Sequence, residues 1–102
     1  MLIVRFKVRC KPGMSEQMAT AMAAVVEAAR SLPGVIHFDV ARDVTDENAF
    51  VATEVFEDRE AMEREEAMPE VAKVLELLQG GAPAGPPEWT IYDVASSESP
   101  EL

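Results

Sequence analysis

Ala49-Phe50-Val51-Ala52-Thr53-Glu54-Val55-Phe56-Glu57 is the stretch on which the fold turns. Alternate positions give it two sides, Phe50, Ala52, Glu54 and Phe56 on one and Val51, Thr53 and Val55 on the other, the period of a strand. Both sides are mainly apolar, as in strands covered on both faces. Just upstream, Val35 to Arg42 alternates as well, with Ile36, Phe38 and Val40 set against His37 and Asp39. The polar run Asp43-Val44-Thr45-Asp46-Glu47-Asn48 between them predicts a turn, and so a hairpin.

Working outward, Leu2, Val4, Phe6, Val8 and Cys10 alternate with Ile3, Arg5, Lys7 and Arg9, a first strand that Pro12-Gly13 ends. From Ser15, a candidate N-cap, the spacing turns helical through Met18, Met22, Val25, Val26, Ala29 and Leu32. Leu32-Pro33-Gly34 stops that helix. Asp58 caps a second helical region with Ala61 and Met62 inward. Pro69 interrupts it, and Val71, Val74, Leu75 and Leu78 then share a face. Gly80 to Pro87 is a loop by composition, and Trp89 to Val94 a last strand. The order β-α-β-β-α-β predicts an α+β, ferredoxin-like domain over residues 1–95, a four-stranded antiparallel sheet with helices on one face. Residues 96–102 form a polar C-terminal tail. Val4, Phe6, Val8, Ile36, Phe38 and Val40 are expected to face the helices.

The chain has 102 residues, room for one core, and a net charge of −10. That charge argues against nucleic acid, whose binding needs a basic footprint, and against an anionic membrane surface. No apolar run approaches the roughly 18 residues of a spanning helix. The first residues alternate with bases and are read as folded strand, not as a leader, with a cytoplasmic location. One cysteine, Cys10, and one histidine, His37, offer neither a disulfide framework nor a zinc site, so no metal is expected.

The sheet's second face carries Ile3, Val51, Thr53 and Val55 among Arg5, Lys7, Arg9, His37 and Asp39. A lone domain is expected to leave Val51 and Val55 in water. At about 25 cal/mol per Å², covering a few hundred Å² is worth several kcal/mol before ordering costs. A second copy of the sheet is the simplest cover, which predicts a homodimer.

Taken together, Val4 to Val8 with Lys11-Pro12-Gly13, Leu32-Pro33-Gly34-Val35-Ile36, Arg42-Asp43, Glu54 to Met62 and Pro86-Pro87-Glu88 resemble the antibiotic biosynthesis monooxygenase (ABM) domain family over residues 2–95. The resemblance implies a dimeric α+β barrel with a pocket between sheet and helices in each subunit. It also implies a cofactor-independent monooxygenase of a quinol or polycyclic aromatic. Isomerases, haem degraders and members without activity share the scaffold, so a non-catalytic small-molecule-binding or structural module is the alternative. Typical members carry Trp, Asn and Tyr where this chain has Phe56, Ala52 and Met62, and His where it has Glu65 and Glu70.

Glu54 is the candidate catalytic residue: alternation turns it toward the helices, where a carboxylate is either paired, with Arg42 for instance, or a base of raised pKa. Phe6, Met22, Phe38, Ala52, Phe56, Met62 and Tyr92 are the candidate pocket, flat-ligand lining with adaptable methionines and a phenolic donor at the rim. Trp89 falls on the opposite side of the last strand from Tyr92 and is an equal candidate for that donor. His37 is expected at the second face beside Asp39, interfacial rather than catalytic. Cys10 reads as a small hydrophobe. Glu63-Arg64-Glu65-Glu66 reads as a solvated helix surface.

Overall fold

A computed structural model describes all of residues 1–102. Four strands, β1 (Leu2–Arg9), β2 (Val35–Asp43), β3 (Asp46–Phe56) and β4 (Glu88–Asp93), form one antiparallel sheet in the order β2-β3-β1-β4. Three helices, α1 (Ser15–Ala29), α2 (Arg59–Glu66) and α3 (Pro69–Gln79), lie in chain order between them. This is the split βαβ arrangement that the periodicities predict.

The hairpin is tighter than expected. Asp43 pairs directly with Asp46, leaving only Val44 and Thr45 in the turn. The Asp43 carboxylate accepts from the Thr45 N–H at 2.8 Å and its hydroxyl at 2.7 Å, and Asp46 accepts from the Asn48 N–H at 3.0 Å. Those side-chain bonds satisfy the turn backbone locally, so the strands run through the polar run instead of stopping at it.

Asp58 caps α2 as expected, accepting from the Ala61 N–H at 2.9 Å. Ser15 does not cap α1: it is buried as the first helical residue, and its hydroxyl donates back to the Pro12 carbonyl at 3.3 Å across a short 3-10 turn. Pro69 stands at the start of α3, where its missing N–H costs nothing. Gly34 has φ +82°, and a Cβ there would meet the Ala61 Cβ at 2.6 Å. The residue must be glycine for α2 to begin this close to β2.

One expectation about the inner face fails. Ile36 is not turned to the helices but is exposed, because a bulge between Val35 and His37 places it outside the register. The rest of the set holds: Val4, Val8 and Phe38 are buried, Phe6 and Val40 partly so. The core divides into two clusters, one around Val4, Phe38, Phe56 and Met62, the other around Val8, Cys10, Met18 and Phe50.

On the outer face Arg5 pairs with Glu88 at 3.2 Å and Lys7 with Asp43 at 2.9 Å. Val55, expected bare, is only 9% exposed within a single chain. Ile3 and His37 flank it in register and shield it from either side. Val51 keeps partial exposure.

Candidate active site

Between the two core clusters the inner face is hollow. A cavity of about 280 Å³ opens over Ala52 and Glu54 of β3. In register, Ala52 lies between Phe6 and Val40, and Glu54 between Val4 and Phe38. The small Ala52 side chain leaves depth between two larger neighbours. α3 packs chiefly on α1 and α2 meets β3, and the cavity lies between these helices and the sheet. Met22 and Val25 of α1 and Val71, Val74, Leu75 and Leu78 of α3 form the apolar walls. Trp89, 62% exposed, stands at the mouth on the sheet side.

Three polar side chains line this space, all acidic: Glu54 from the floor, and Glu65 and Glu66 from α2. Glu65 is only 5% exposed, not the solvated surface residue its charged surroundings suggest. Ala61, Met62 and Glu65 recur at helical spacing on one face of α2, and all three are buried. The Asp58 cap fixes the phase of that helix, so the spacing of 61, 62 and 65 was the available signal.

Neither Glu54 nor Glu65 has a cationic partner within ion-pair distance. Arg42, the expected partner of Glu54, is held elsewhere. It donates to Glu16 at 2.7 Å and to the Glu47 carbonyl at 2.7 Å, with its guanidinium 4.9 Å from the centre of the Phe50 ring. The register puts Arg42 opposite Phe50, not Glu54. Burial pushes the Glu54 carboxyl up to about 8, the negative charge and hydrogen bond of Glu65 adding to it and Glu66 contributing further. Glu65 is raised to about 7, first by burial and then by the charge of Glu66, while its hydrogen bond from Glu54 works the other way. The two therefore titrate as a pair, the first proton lost from the pair and not from either residue alone.

The structure brings together Glu54, Phe6, Met22, Phe38 and Ala52 around the cavity. It does not bring Phe56, Met62 or Tyr92 there. Phe56 and Met62 lie in the adjoining packed cluster, where the Phe56 and Phe38 rings meet edge to face, centroids 6.5 Å apart. Phe56 shares the sheet side of Glu54 but pairs with Leu2 at the closed end of the strand. Tyr92 pairs with Ile3, and so stands on the outer face. Alternation on β4 leaves Trp89, opposite Phe6, as the aromatic at the mouth. His37 is exposed on the outer face, but Asp39 beside it pairs with Arg30 at 3.0 Å. Cys10 is buried, and burial raises its thiol pKa, which keeps it an unreactive thiol.

Fold and site together define an α+β domain of the split βαβ class that holds an acidic-floored apolar cavity between sheet and helices. The antibiotic biosynthesis monooxygenase family model matches residues 1–77, and the chain belongs to that family. Its fold is similar to the crystal structure of a proposed antibiotic biosynthesis monooxygenase from Deinococcus radiodurans, with TM-score 0.86 and 18% identity over 100% of both chains. A proposed member from Nitrosomonas europaea gives TM-score 0.84 and 19% identity, over 94% of this chain and 100% of that one. In sequence the chain is 28% identical to an uncharacterized protein of Synechocystis sp., over 96% of this chain. It spans 66% of that protein's length.

Proposed function

We propose that the protein is a cofactor-independent monooxygenase of a quinol or polycyclic aromatic, with Glu54 as its base. The observation that carries this reading is a carboxyl without a cationic partner, beside a second buried acid, on the floor of a cavity whose walls are otherwise mainly apolar. An electron-rich carbon acid of the anthrone kind needs little more than a base and a dry, shaped site. Glu54 takes a proton from the ring methylene. The carbanion passes an electron to O₂, and the resulting radicals combine as a peroxide anion. Glu54 returns its proton to that peroxide, and loss of water leaves the quinone carbonyl, so that CH₂ and O₂ become C=O and H₂O.

Oxygen uptake with a panel of anthrones and quinols tests this. The wild type turns over, with a rate that climbs with pH as the carboxyl pair ionises toward about 8. Glu54→Gln lowers kcat/KM by about 100-fold or more, the usual contribution of a positioned base. A wild type inert across the panel, or a variant as active as the wild type, sinks the assignment. Inertness would leave a small-molecule-binding module.

We also propose that two copies associate through the outer sheet face. Ile3, Val51 and Tyr92 supply apolar surface there. The Arg5–Glu88 and Lys7–Asp43 pairs balance that face's charge within each chain, so the overall −10 does not oppose contact. Val51→Lys is expected to shift sedimentation velocity from dimer to monomer. A wild type that sediments as a monomer overturns the assembly.

A further inference from the structure

We propose that Glu65 is the second carboxyl of this site, and that with Glu54 it makes the cavity specific for uncharged hydroxyaromatic ligands against their anionic analogues. The proposal deepens the oxygenase reading and uses its site, but it concerns which ligand enters and can be read without turnover.

The cavity lining has no lysine, arginine or histidine. Its titratable groups are Glu54 from β3 and Glu65 and Glu66 from α2. β1, β2, β4, α1 and α3 contribute only apolar or aromatic side chains. Glu65 is more than nine-tenths buried and lines the cavity, and its carboxyl has no cationic partner, only the carboxyl of Glu54. Burying a carboxyl without a counter-charge is costly, and a hydrophobe at this helix position would pack without that cost. The position is therefore one where a carboxyl serves something that enters the cavity.

What enters follows from the chemistry of two facing carboxyls. Carrying one proton between them, they present both an O–H donor and carboxylate acceptors. A phenolic hydroxyl, which gives one hydrogen bond and takes another, matches both, and the apolar walls take its ring system. A ligand carboxylate has the opposite fate. It would be brought against negative charge in a low-dielectric space, with no cation to receive it. A cavity of about 280 Å³ lies at the small end for ligand pockets, which suits two or three fused rings.

Calorimetric titration of the full chain at pH 7 with 2-naphthol, 6-hydroxy-2-naphthoate and 2-naphthylmethylammonium tests the selectivity. The neutral naphthol is expected to bind at least about tenfold more tightly than the naphthoate, a difference of roughly 1.4 kcal/mol. Glu65→Gln is expected to narrow that ratio to about threefold or less, since amide and carboxyl differ in charge and hardly in shape. Equal affinity for naphthol and naphthoate overturns the proposal, and so does a failure of both to bind. So does an unchanged ratio in a folded Glu65→Gln protein. Tightest binding of the ammonium compound overturns it in favour of a cation site. Should the variant not fold, the wild-type ratio alone decides. Selective naphthol binding without oxygen uptake from any quinol would remove the oxygenase and leave the ligand class standing. Uptake from neutral and carboxylated quinols with equal KM would do the reverse.

Discussion

Asp43 and Glu54 are carboxyl side chains on neighbouring strands of one sheet, and the two faces treat them in opposite ways. Asp43 accepts two hydrogen bonds from Thr45 and one from Lys7, and these hold its carboxyl well below the usual range. Glu54 faces an apolar cavity and another acid, and burial drives its pKa up. On the outer face Arg5, Lys7, Asp43 and Glu88 each meet a donor or an opposite charge. The inner face strands its charges where only a proton or a ligand can relieve them. A carboxyl left in that state is the one given the role of base in the proposed reaction. One that is fully paired is an anchor.

The contrast can be broken or sharpened by measurement, the largest effect coming from the packed part of the inner face. Phe56→Ala removes a fully buried ring from the floor beside the cavity and is expected to cost about 3–5 kcal/mol in denaturant unfolding. A cost under about 1 kcal/mol would mean that the hollow extends beneath Phe56 and that the two core clusters are not distinct.

Next comes the alkaline stability of the carboxyl pair. Both folded pKa values are raised, so the contribution of the pair is fully present below the unfolded value near 4.3. It is lost as pH rises through about 7 and about 8. Glu54→Gln cannot ionise and is expected to melt on the order of 5 °C higher than the wild type at pH 9, with little gain at pH 5. A difference independent of pH would contradict the stranded-charge picture.

The smallest effect belongs to the outer face. Lys7→Met is expected to lower Tm only slightly at pH 7, as partly exposed ion pairs contribute little. Here the sign is reversed. The folded pKa of Asp43 is depressed, so its stabilisation holds above the unfolded value near 3.9 and fades as pH falls below it. The gap between wild type and Lys7→Met should close under acid. A gap that widens there would assign Lys7 some other partner.

Much of this was legible along the chain. The alternation in residues 2–10, 35–42 and 49–57, and the stops at Pro12-Gly13 and Leu32-Pro33-Gly34, carry the element order. Alternation also placed Glu54 on the helix side. The same reasoning went astray where a local irregularity intervened, as with Ile36, which the bulge at Val35/His37 expels. It also went astray where long-range register decides a neighbour, as with Arg42, which meets Phe50 and Glu16 rather than Glu54. Tyr92, expected at the pocket rim, stands on the outer face, because alternation separates it from Trp89 and it pairs with Ile3. Glu65 was hidden by composition. In a run of four charged residues the eye counts solvated groups, whereas the helix turns one of them inward at the spacing of Ala61 and Met62.

By itself, then, the sequence determined the elements, their order and the face of the strand residues outside the bulge at Ile36, because those follow from local periods of two and 3.6 residues. Which helix packs on which surface was decided only in three dimensions, and with it the unfilled space over Ala52 and the meeting of Glu54 with Glu65. Both depend on contacts between segments far apart in the chain, where the energy of a carboxyl is set by what the fold brings beside it and not by its neighbours in sequence.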